Sequence, residues 1–299
     1  MAEDAPAARL RLVIPKGSLE EQTLSLLKAA DLQVRRASAR DYHGRIDDDR
    51  IERVSLLRPQ EIPRYVEEGF FDLGITGRDW VVETGADVET VVSLEYAKSG
   101  AGTVRIVLAV PLDNPATTAA DLPPGTRIST EYPSLTESHF ARLGIPVRVF
   151  PSYGATEAKV PEIVDAIVDV TETGSTLRAH GMKVIETLLT SEVLLIASRQ
   201  AAADPGKRRA MEDVSTLLLG ALRAQGRVLI KLNIALARLD DVLAILPAMK
   251  APTVSPLAGG RDYAVETVVD KGSVNTLIPR LKAGGASDIL ELPISKIVP

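Results

Sequence analysis

The sequence predicts an α/β protein: two successive strand–helix units followed by a small separate domain. Three observations predict it. Short apolar runs alternate with amphipathic stretches through most of the chain, a Pro-, Asp- and Asn-rich connection interrupts them at Pro111 to Gly125, and after about residue 224 the order of elements changes.

The first unit opens with an apolar run, Leu10 to Ile14, that reads as a buried strand, followed by the turn Pro15-Lys16-Gly17-Ser18. Ser18 is placed to cap a helix whose apolar face is Leu19, Thr23, Leu26, Leu27 and Ala30. Val54 to Leu57 is a second strand, Ile62, Tyr65 and Val66 mark a helix, and Phe71 to Ile75 is a strand ending at Thr76-Gly77. Repeated strand–helix order predicts a parallel sheet covered by helices on both faces.

The second unit starts near Thr103. Val104 to Val110, Thr126 to Thr130 and Val147 to Phe150 read as strands and Ser134 to Leu143 as a helix. The apolar Ile163 to Val170 runs into a loop containing Gly174, then into the helix-like Leu177 to Gly181. Asp204-Pro205 opens a long helix with Met211, Val214, Leu218, Ala221 and Leu222 as its stripe and Gly226 at its end.

The last part reads strand (Val228 to Leu232), helix (Leu239 to Leu246), two strands (Pro252 to Leu257, Tyr263 to Val269), helix (Val274, Leu277, Ile278, Leu281, with Ser273 as cap) and strand (Ile289 to Leu292). That is the β-α-β-β-α-β, ferredoxin-like plan. Pro279 falls inside the second helix and removes a hydrogen bond there.

Composition narrows the function. A chain of 299 residues suggests about two domains, and at this length roughly three quarters of the unfolded surface can be buried. With no cysteine, disulfides and thiolate metal sites are excluded and a reducing compartment is expected. Met1 to Ala8 has neither the basic start nor the apolar stretch of a signal peptide, and no apolar run approaches the ~20 residues that span a bilayer, so a cytoplasmic protein without membrane contact is expected. A net charge of -5 and 4% aromatic residues argue against a nucleic-acid partner. They do not exclude small anions, for which a few cations and backbone N–H groups in one cleft suffice.

The richest local chemistry is at Asp169 to Arg178. Thr173, Ser175 and Thr176 supply hydroxyls, Gly174 allows close approach of the backbone, and N–H groups at a helix start favour phosphate. Asp169 and Glu172 offer carboxylates to ribose hydroxyls or to a magnesium ion. The competing reading is an ordinary strand–turn–helix with polar caps. The loop is neither a P-loop nor a dinucleotide fingerprint. Pro15-Lys16-Gly17 ends the first strand, where open α/β sheets bind ligands, and Lys16 is either a phosphate contact or a solvated turn lysine. Gly74 to Gly77 with Arg78 and Asp79 is a third strand end. His43, His139 and His180 share no metal spacing, and no Gly-x-Ser-x-Gly motif is present.

Taken together, from about Leu10 to Val298, these segments resemble the ATP phosphoribosyltransferases of histidine biosynthesis. The resemblance rests on Pro15-Lys16-Gly17, on Arg58-Pro59-Gln60-Glu61-Ile62-Pro63 and on Gly69 with Asp72 to Asp79. It rests also on Gly154 to Glu157, Asp165 to Asp169 and Thr173 to Leu177. The segments Leu246-Pro247, Pro252 to Leu257 and Leu281 to Pro293 are similar to the regulatory domain of the family's long form.

The resemblance implies a two-lobed catalytic region like a type II periplasmic binding protein over residues 1–224, with lobe I at about 1–95 and 182–224 and lobe II at about 96–181. A regulatory domain at 225–299 follows. It implies that N1 of ATP displaces pyrophosphate from C1 of phosphoribosyl pyrophosphate, with Mg2+ carried largely by substrate phosphates and waters. Thr173, Gly174, Ser175 and Thr176 then hold the 5-phosphate, Asp169 and Glu172 lie near the ribose, and Lys16, Gly17, Arg58, Gly77 and Arg78 belong to the substrate site. Histidine is the implied feedback inhibitor, with Asn233, Thr253 and Ser255 as its contacts, and the assembly a hexamer built from dimers. The sequence departs from the family at Glu137-Ser138-His139, where basic residues are common, at Glu162 near a usual glycine, and at Asn233, near which an acidic residue is sometimes found. Two other classes share parts of this pattern. A two-lobed solute-binding protein is opposed by the missing export signal, and a ligand-sensing regulator by the lack of basic DNA-binding helices.

Overall fold

A computed structural model describes residues 9–94, 96, 102–247 and 251–299. The reading of Met1 to Ala8 and the lobe limit at Glu95 lie outside them. The chain divides into two compact units, Met1–Ser215 and Thr216–Pro299.

The first unit begins β1 (Leu10–Pro15), α1 (Glu20–Ala29), β2 (His43–Gly44), β3 (Ile51–Leu57), α2 (Ile62–Glu67), β4 (Leu73–Gly77), α3 (Arg78–Thr84), β5 (Val88–Leu94). It continues β6 (Thr103–Pro111), β7 (Arg127–Thr130), α4 (Pro133–Leu143), β8 (Arg148–Pro151), β9 (Ala166–Thr171), α5 (Ser175–Ala179), β10 (Met182–Ser198), α6 (Arg199–Ala203) and α7 (Pro205–Ala224), the last of which runs on past Ser215. The sheet order is β2-β3-β1-β4-β10-β6-β9-β7-β8, with β5 also paired to β10.

β1 lies parallel between β3 and β4, and Leu10, Leu12, Val13 and Ile14 are all buried. A parallel strand covered on both faces takes such a continuous apolar run rather than an alternating one. In the second half β7 lies parallel between β8 and β9, and β6 is antiparallel to β9. The halves are joined by β10, a strand of 17 residues. Its Met182 to Glu192 stretch runs antiparallel to β6. Its Val193 to Ser198 stretch is inserted antiparallel beside β4 and β5. The first unit is thus built of two α/β halves that share one long strand.

α3 ties the halves a second time. It follows β4 of the first half, yet Trp80 packs in the second-half core with Ile106, Leu108, Tyr132 and Phe140. Glu83 accepts hydrogen bonds from the N–H groups of Ser134 and Leu135, both at 2.9 Å, and so supplies acceptors to the open N-terminus of α4.

Three local expectations are corrected. Ser18 does not cap α1: the cap position is Leu19 without a side-chain bond, the helix starts at Glu20, and Ser18 instead lines a cleft. Ser273 makes no cap bond either, because its hydroxyl donates to the Asp270 carbonyl. The Pro111 to Gly125 connection is anchored rather than purely superficial, since Ala116, Ala119 and Leu122 are buried in the second-half core. Asp204 does cap α7, accepting from Lys207 N–H at 2.9 Å.

Asp72, just before β4, shows how the first half is braced. Its buried carboxylate accepts two hydrogen bonds from the Arg11 guanidinium, at 2.9 and 3.0 Å, and one from Lys207 at 2.8 Å. Although burial opposes the charged form, these partners hold its pKa down at about 2. A carboxyl depressed from its ordinary value of about 3.9 stabilises the fold above that pH, and the contribution is lost as pH falls toward 2. Asp72→Asn is therefore expected to lower stability by ~2 kcal/mol near neutrality, the difference from wild type narrowing between about pH 4 and 2. Urea melts across that range test it; a difference independent of pH refutes it.

The second unit contains β11 (Arg227–Ala235), α8 (Leu239–Ile245), β12 (Thr253–Pro256), β13 (Asp262–Asp270), α9 (Val274–Ala283) and β14 (Ser287–Pro293). Its sheet order is β12-β13-β11-β14 with every pair antiparallel, the ferredoxin-like arrangement. Alternate residues of β11, Val228, Ile230, Leu232 and Ile234, form the core with Val242, Leu277 and Leu281 of the two helices. α9 continues through Pro279 to Ala283.

Candidate functional site

A cleft of about 480 Å³ opens in the first unit. It gathers the carboxyl ends of β4, β7 and β9 and the middle of β10, the place where open α/β sheets bind ligands. Its lining carries six carboxylates, Asp79, Glu131, Glu157, Asp169, Glu172 and Glu192, and among the described residues no Lys, Arg or His.

The loop after β9 forms one edge. Thr171, Glu172, Thr173, Ser175 and Thr176 line the cleft. The Thr171 hydroxyl accepts from Gly174 N–H at 2.8 Å, and Thr173 donates to the Ser175 hydroxyl at 3.0 Å. Gly174 turns the chain into α5 at φ +75°, a left-handed conformation that a Cβ disfavours. A Cβ there would also stand 3.2 Å from the Arg178 guanidinium.

Asp169, on β9 below this loop, has its pKa pushed up to about 6, mainly by burial and further by Glu131 and Glu157, against the opposing Val170 N–H and Lys159. Glu131, just after β7, is likewise raised by burial, with Lys159 and Arg58 opposing.

The back wall is a buried hydroxyl–carboxylate node. Asp79 is 5% exposed. It accepts from the Ser191 hydroxyl at 2.7 Å and from the Tyr132 hydroxyl at 2.8 Å, and its own N–H donates to Ser191 at 2.9 Å. Burial and the adjacent Asp79 keep Tyr132 protonated by raising its pKa. The rings of Trp80 and Tyr132 stack at 4.6 Å. The node joins α3, β10 and the N-terminus of α4.

Of the residues singled out in sequence, Gly77, Asp169, Glu172, Thr173, Ser175 and Thr176 line this cleft, with Gly174 in the same loop. Lys16, Gly17, Arg58 and Arg78 lie outside the lining. Lys16 stands 3.8 Å from Glu20 and over the Tyr42 ring at 4.8 Å. A Cβ on Gly17 would meet Arg58 at 3.4 Å, so these two residues are neighbours. Arg78 pairs with Glu192 at 3.5 Å. None of Glu137, Ser138 and His139 lines the cleft, and His139 faces Glu186 at 2.9 Å.

Asp79, named in sequence with the strand end Gly74 to Gly77, stands at the centre of the back wall, whereas Glu131, Tyr132, Glu157 and Ser191 were not singled out as site residues. For Glu131 the signal was available: it ends a strand, as Asp169 does. Ser191 gave none, being mid-strand.

In the second unit, Asn233 pairs in register with Ala264 and Ala264 with Ser255, so these and Thr253 share the sheet face opposite the helices. Asn233 donates to the Asp288 carboxylate at 2.9 Å, which brings an acid to the position where the sequence carries an amide.

A family model described as ATP phosphoribosyltransferase matches residues 58–220, and one described as HisG, C-terminal domain, matches residues 224–296. A curated ATP phosphoribosyltransferase of Koribacter versatilis is 48% identical over 290 residues, covering 97% of this chain and 99% of that one. Another, from Pelotomaculum thermopropionicum, is 46% identical over 291 residues, covering 97% and 100%. A solved structure, the ATP phosphoribosyl transferase (HisG:HisZ) complex from Thermotoga maritima, is similar in fold, with a TM-score of 0.59 at 24% identity over 70% of this chain and 98% of that one.

Proposed function

The chain belongs to the ATP phosphoribosyltransferase family, the phosphoribosyl transferases that catalyse the first step of histidine biosynthesis, and from that premise we propose that the acid-lined cleft is where the ribosyl group changes partners. The observation that carries this reading is the pairing of a carboxylate floor with a hydroxyl-rich loop at its edge.

Displacement at C1 of phosphoribosyl pyrophosphate builds positive charge on the ribose while the leaving pyrophosphate gains negative charge. Carboxylates fixed beside the ribose favour that developing cation, and their benefit is largest in the transition state. Asp169 and Glu172 accept ribose hydroxyls. Thr173, Gly174, Ser175 and Thr176 hold the 5-phosphate with hydroxyl and N–H donors, Arg178 standing beside Gly174. Lys16, Gly17, Arg58, Gly77 and Arg78 meet the pyrophosphate and the triphosphate. N1 of the adenine is itself the nucleophile, so positioning carries much of the rate. Among the described residues no three acids or histidines converge as a metal site. Magnesium would travel with the substrate phosphates and waters and lend them positive charge, while the protein's own residues position the ribose.

Residues 1–224 form the catalytic region and 225–299 the regulatory domain of this reading, with histidine as inhibitor at Asn233, Thr253 and Ser255 and a hexamer as the working assembly. No helix among the described residues is long and apolar enough to cross a membrane.

The test is an assay with ATP, phosphoribosyl pyrophosphate and magnesium, pyrophosphate being removed as it forms. Phosphoribosyl-ATP accumulates, and added histidine slows it. No product refutes the enzyme reading; product formation indifferent to histidine refutes the regulatory one.

A further inference from the structure

A cleft lined by six carboxylates poses a problem of charge, because burying like charges together drives some of them to take up protons. The cation felt by both Asp169 and Glu131 is Lys159, the last residue of the short 3-10 turn Glu157–Lys159. Its side chain does not end on a carboxylate. Nζ donates to the Ser152 hydroxyl at 2.5 Å and to the Ser129 hydroxyl at 3.4 Å, and Ser152 shares a 2.9 Å hydrogen bond with the Thr156 hydroxyl. Ser129, Ser152 and Thr156 are all buried. Ser129 sits on β7 and Ser152 directly after β8, and Ser152 N–H donates to the Thr130 carbonyl at 2.7 Å, so the cradle is part of the sheet. A lysine free to choose would be drawn to Glu131 or Asp169, both of which feel its charge.

We propose that Lys159 is a positioning residue of the transferase site: an internal cation held by hydroxyls, whose charge balances Asp169 and Glu131 without occupying their oxygens and so leaves them free to accept ribose hydroxyls. This rests on the assignment of the ribose to Asp169 made above. Ion pairing would have neutralised the acids at the cost of the acceptors the ribose needs. Hydroxyl anchoring separates the two roles, since a hydroxyl can accept from an ammonium without carrying charge.

The groups that face Asp169 define the test. They are Glu131 and the Tyr132 phenol from the segment between β7 and α4, Glu157 and Lys159 from the 3-10 turn, and the Val170 N–H on its own strand. Glu131 additionally faces Arg58. Lys159→Met keeps the length and removes the charge, leaving Asp169 beside Glu131 and Glu157 without its opposing cation, while Glu131 keeps Arg58. Asp169 then takes its proton at higher pH, its midpoint rising from about 6 by about one unit.

With substrate, the KM for phosphoribosyl pyrophosphate rises about fivefold near pH 6 and converges on wild type above about pH 8, where the acid is ionised in both proteins. A loss of affinity that is uniform across pH overturns the proposal, because a purely structural lysine would produce that.

A carboxyl-carbon NMR titration of the free full-length protein reads the midpoint without substrate. An unmoved midpoint in Lys159→Met overturns the proposal. A moved midpoint with unchanged KM supports the charge balance and overturns the ribose assignment instead. Should Lys159→Met not fold, Ser152→Ala removes the 2.5 Å contact and keeps the charge. The freed ammonium moves onto an acid, so its midpoint falls and the KM for phosphoribosyl pyrophosphate rises at every pH. Neither change occurring overturns the cradle.

Discussion

Gly174→Val lowers kcat/KM for phosphoribosyl pyrophosphate roughly a hundredfold while the protein stays folded. The residue turns the chain at φ +75°, and valine in that region costs about 1–2 kcal/mol because its Cβ crowds the following carbonyl. The loop relieves the strain by moving. The new Cβ would also press on the Arg178 guanidinium, whose flexible end gives way and leaves its place beside the loop. A shift of about 1 Å in groups that hold a phosphate is enough to cost two orders of magnitude in rate, whereas the strain itself lowers Tm by only a few degrees in a unit of this size. Gly174→Ala, with the same backbone strain and less bulk, falls between. Calorimetric titration with phosphoribosyl pyrophosphate separates binding from folding; an unchanged Kd removes the loop from the site.

The second large effect is on stability. Asp79→Ala is expected to cost about 3 kcal/mol, because it strands the buried hydroxyls of Tyr132 and Ser191 without their shared acceptor and leaves a void between them. For a unit of about 200 residues that is a fall in Tm of roughly 6–12 °C. Asp79→Asn loses less, since its amide oxygen still accepts from one hydroxyl and its NH2 donates to the other, whose own O–H is left without its acceptor. Activity falls with both, because Tyr132 and Trp80 form the back of the cleft and are aligned through Asp79. Scanning calorimetry checks it: a melting temperature for Asp79→Ala within about 2 °C of wild type refutes the node's importance.

Much of the fold was readable in the chain because its signals are local. β1 announces itself by four buried apolar residues in a run of six, α7 by Asp204-Pro205 and a stripe at helical spacing, and the second unit by the order of its elements. β5 and β10 were not read as strands. β10 mixes Lys183, Glu186, Thr187, Thr190 and Glu192 into its first part, because there one side stays partly open, and only after Val193 does it become uniformly apolar. No single periodicity describes a strand that passes from one environment to another. The capping serines misled for a different reason: a hydroxyl before a helix has several acceptors within reach, and at Ser273 the Asp270 carbonyl wins.

The site was half legible. The loop from Thr171 to Thr176 stands out by composition, and Asp169 and Gly77 by their positions at strand ends. Asp79, Tyr132 and Ser191 come from three distant parts of the chain and are connected only through space. No spacing in the sequence links residues separated by 53 and 112 positions.

The route of the backbone has a consequence for how this protein can be altered by recombination. The second half, β6 to α5, is an insertion within the first, entered after β5 and left through β10. Trp80 is a residue of the host segment planted in the guest's interior. A crossover between related genes that replaced only the inserted stretch would therefore import a core missing one of its own aromatic rings. An exchange that keeps Trp80 with its own core starts at α3, before the insertion, and stops before Val193, because Leu194 and Ile196 already belong to the core of the host.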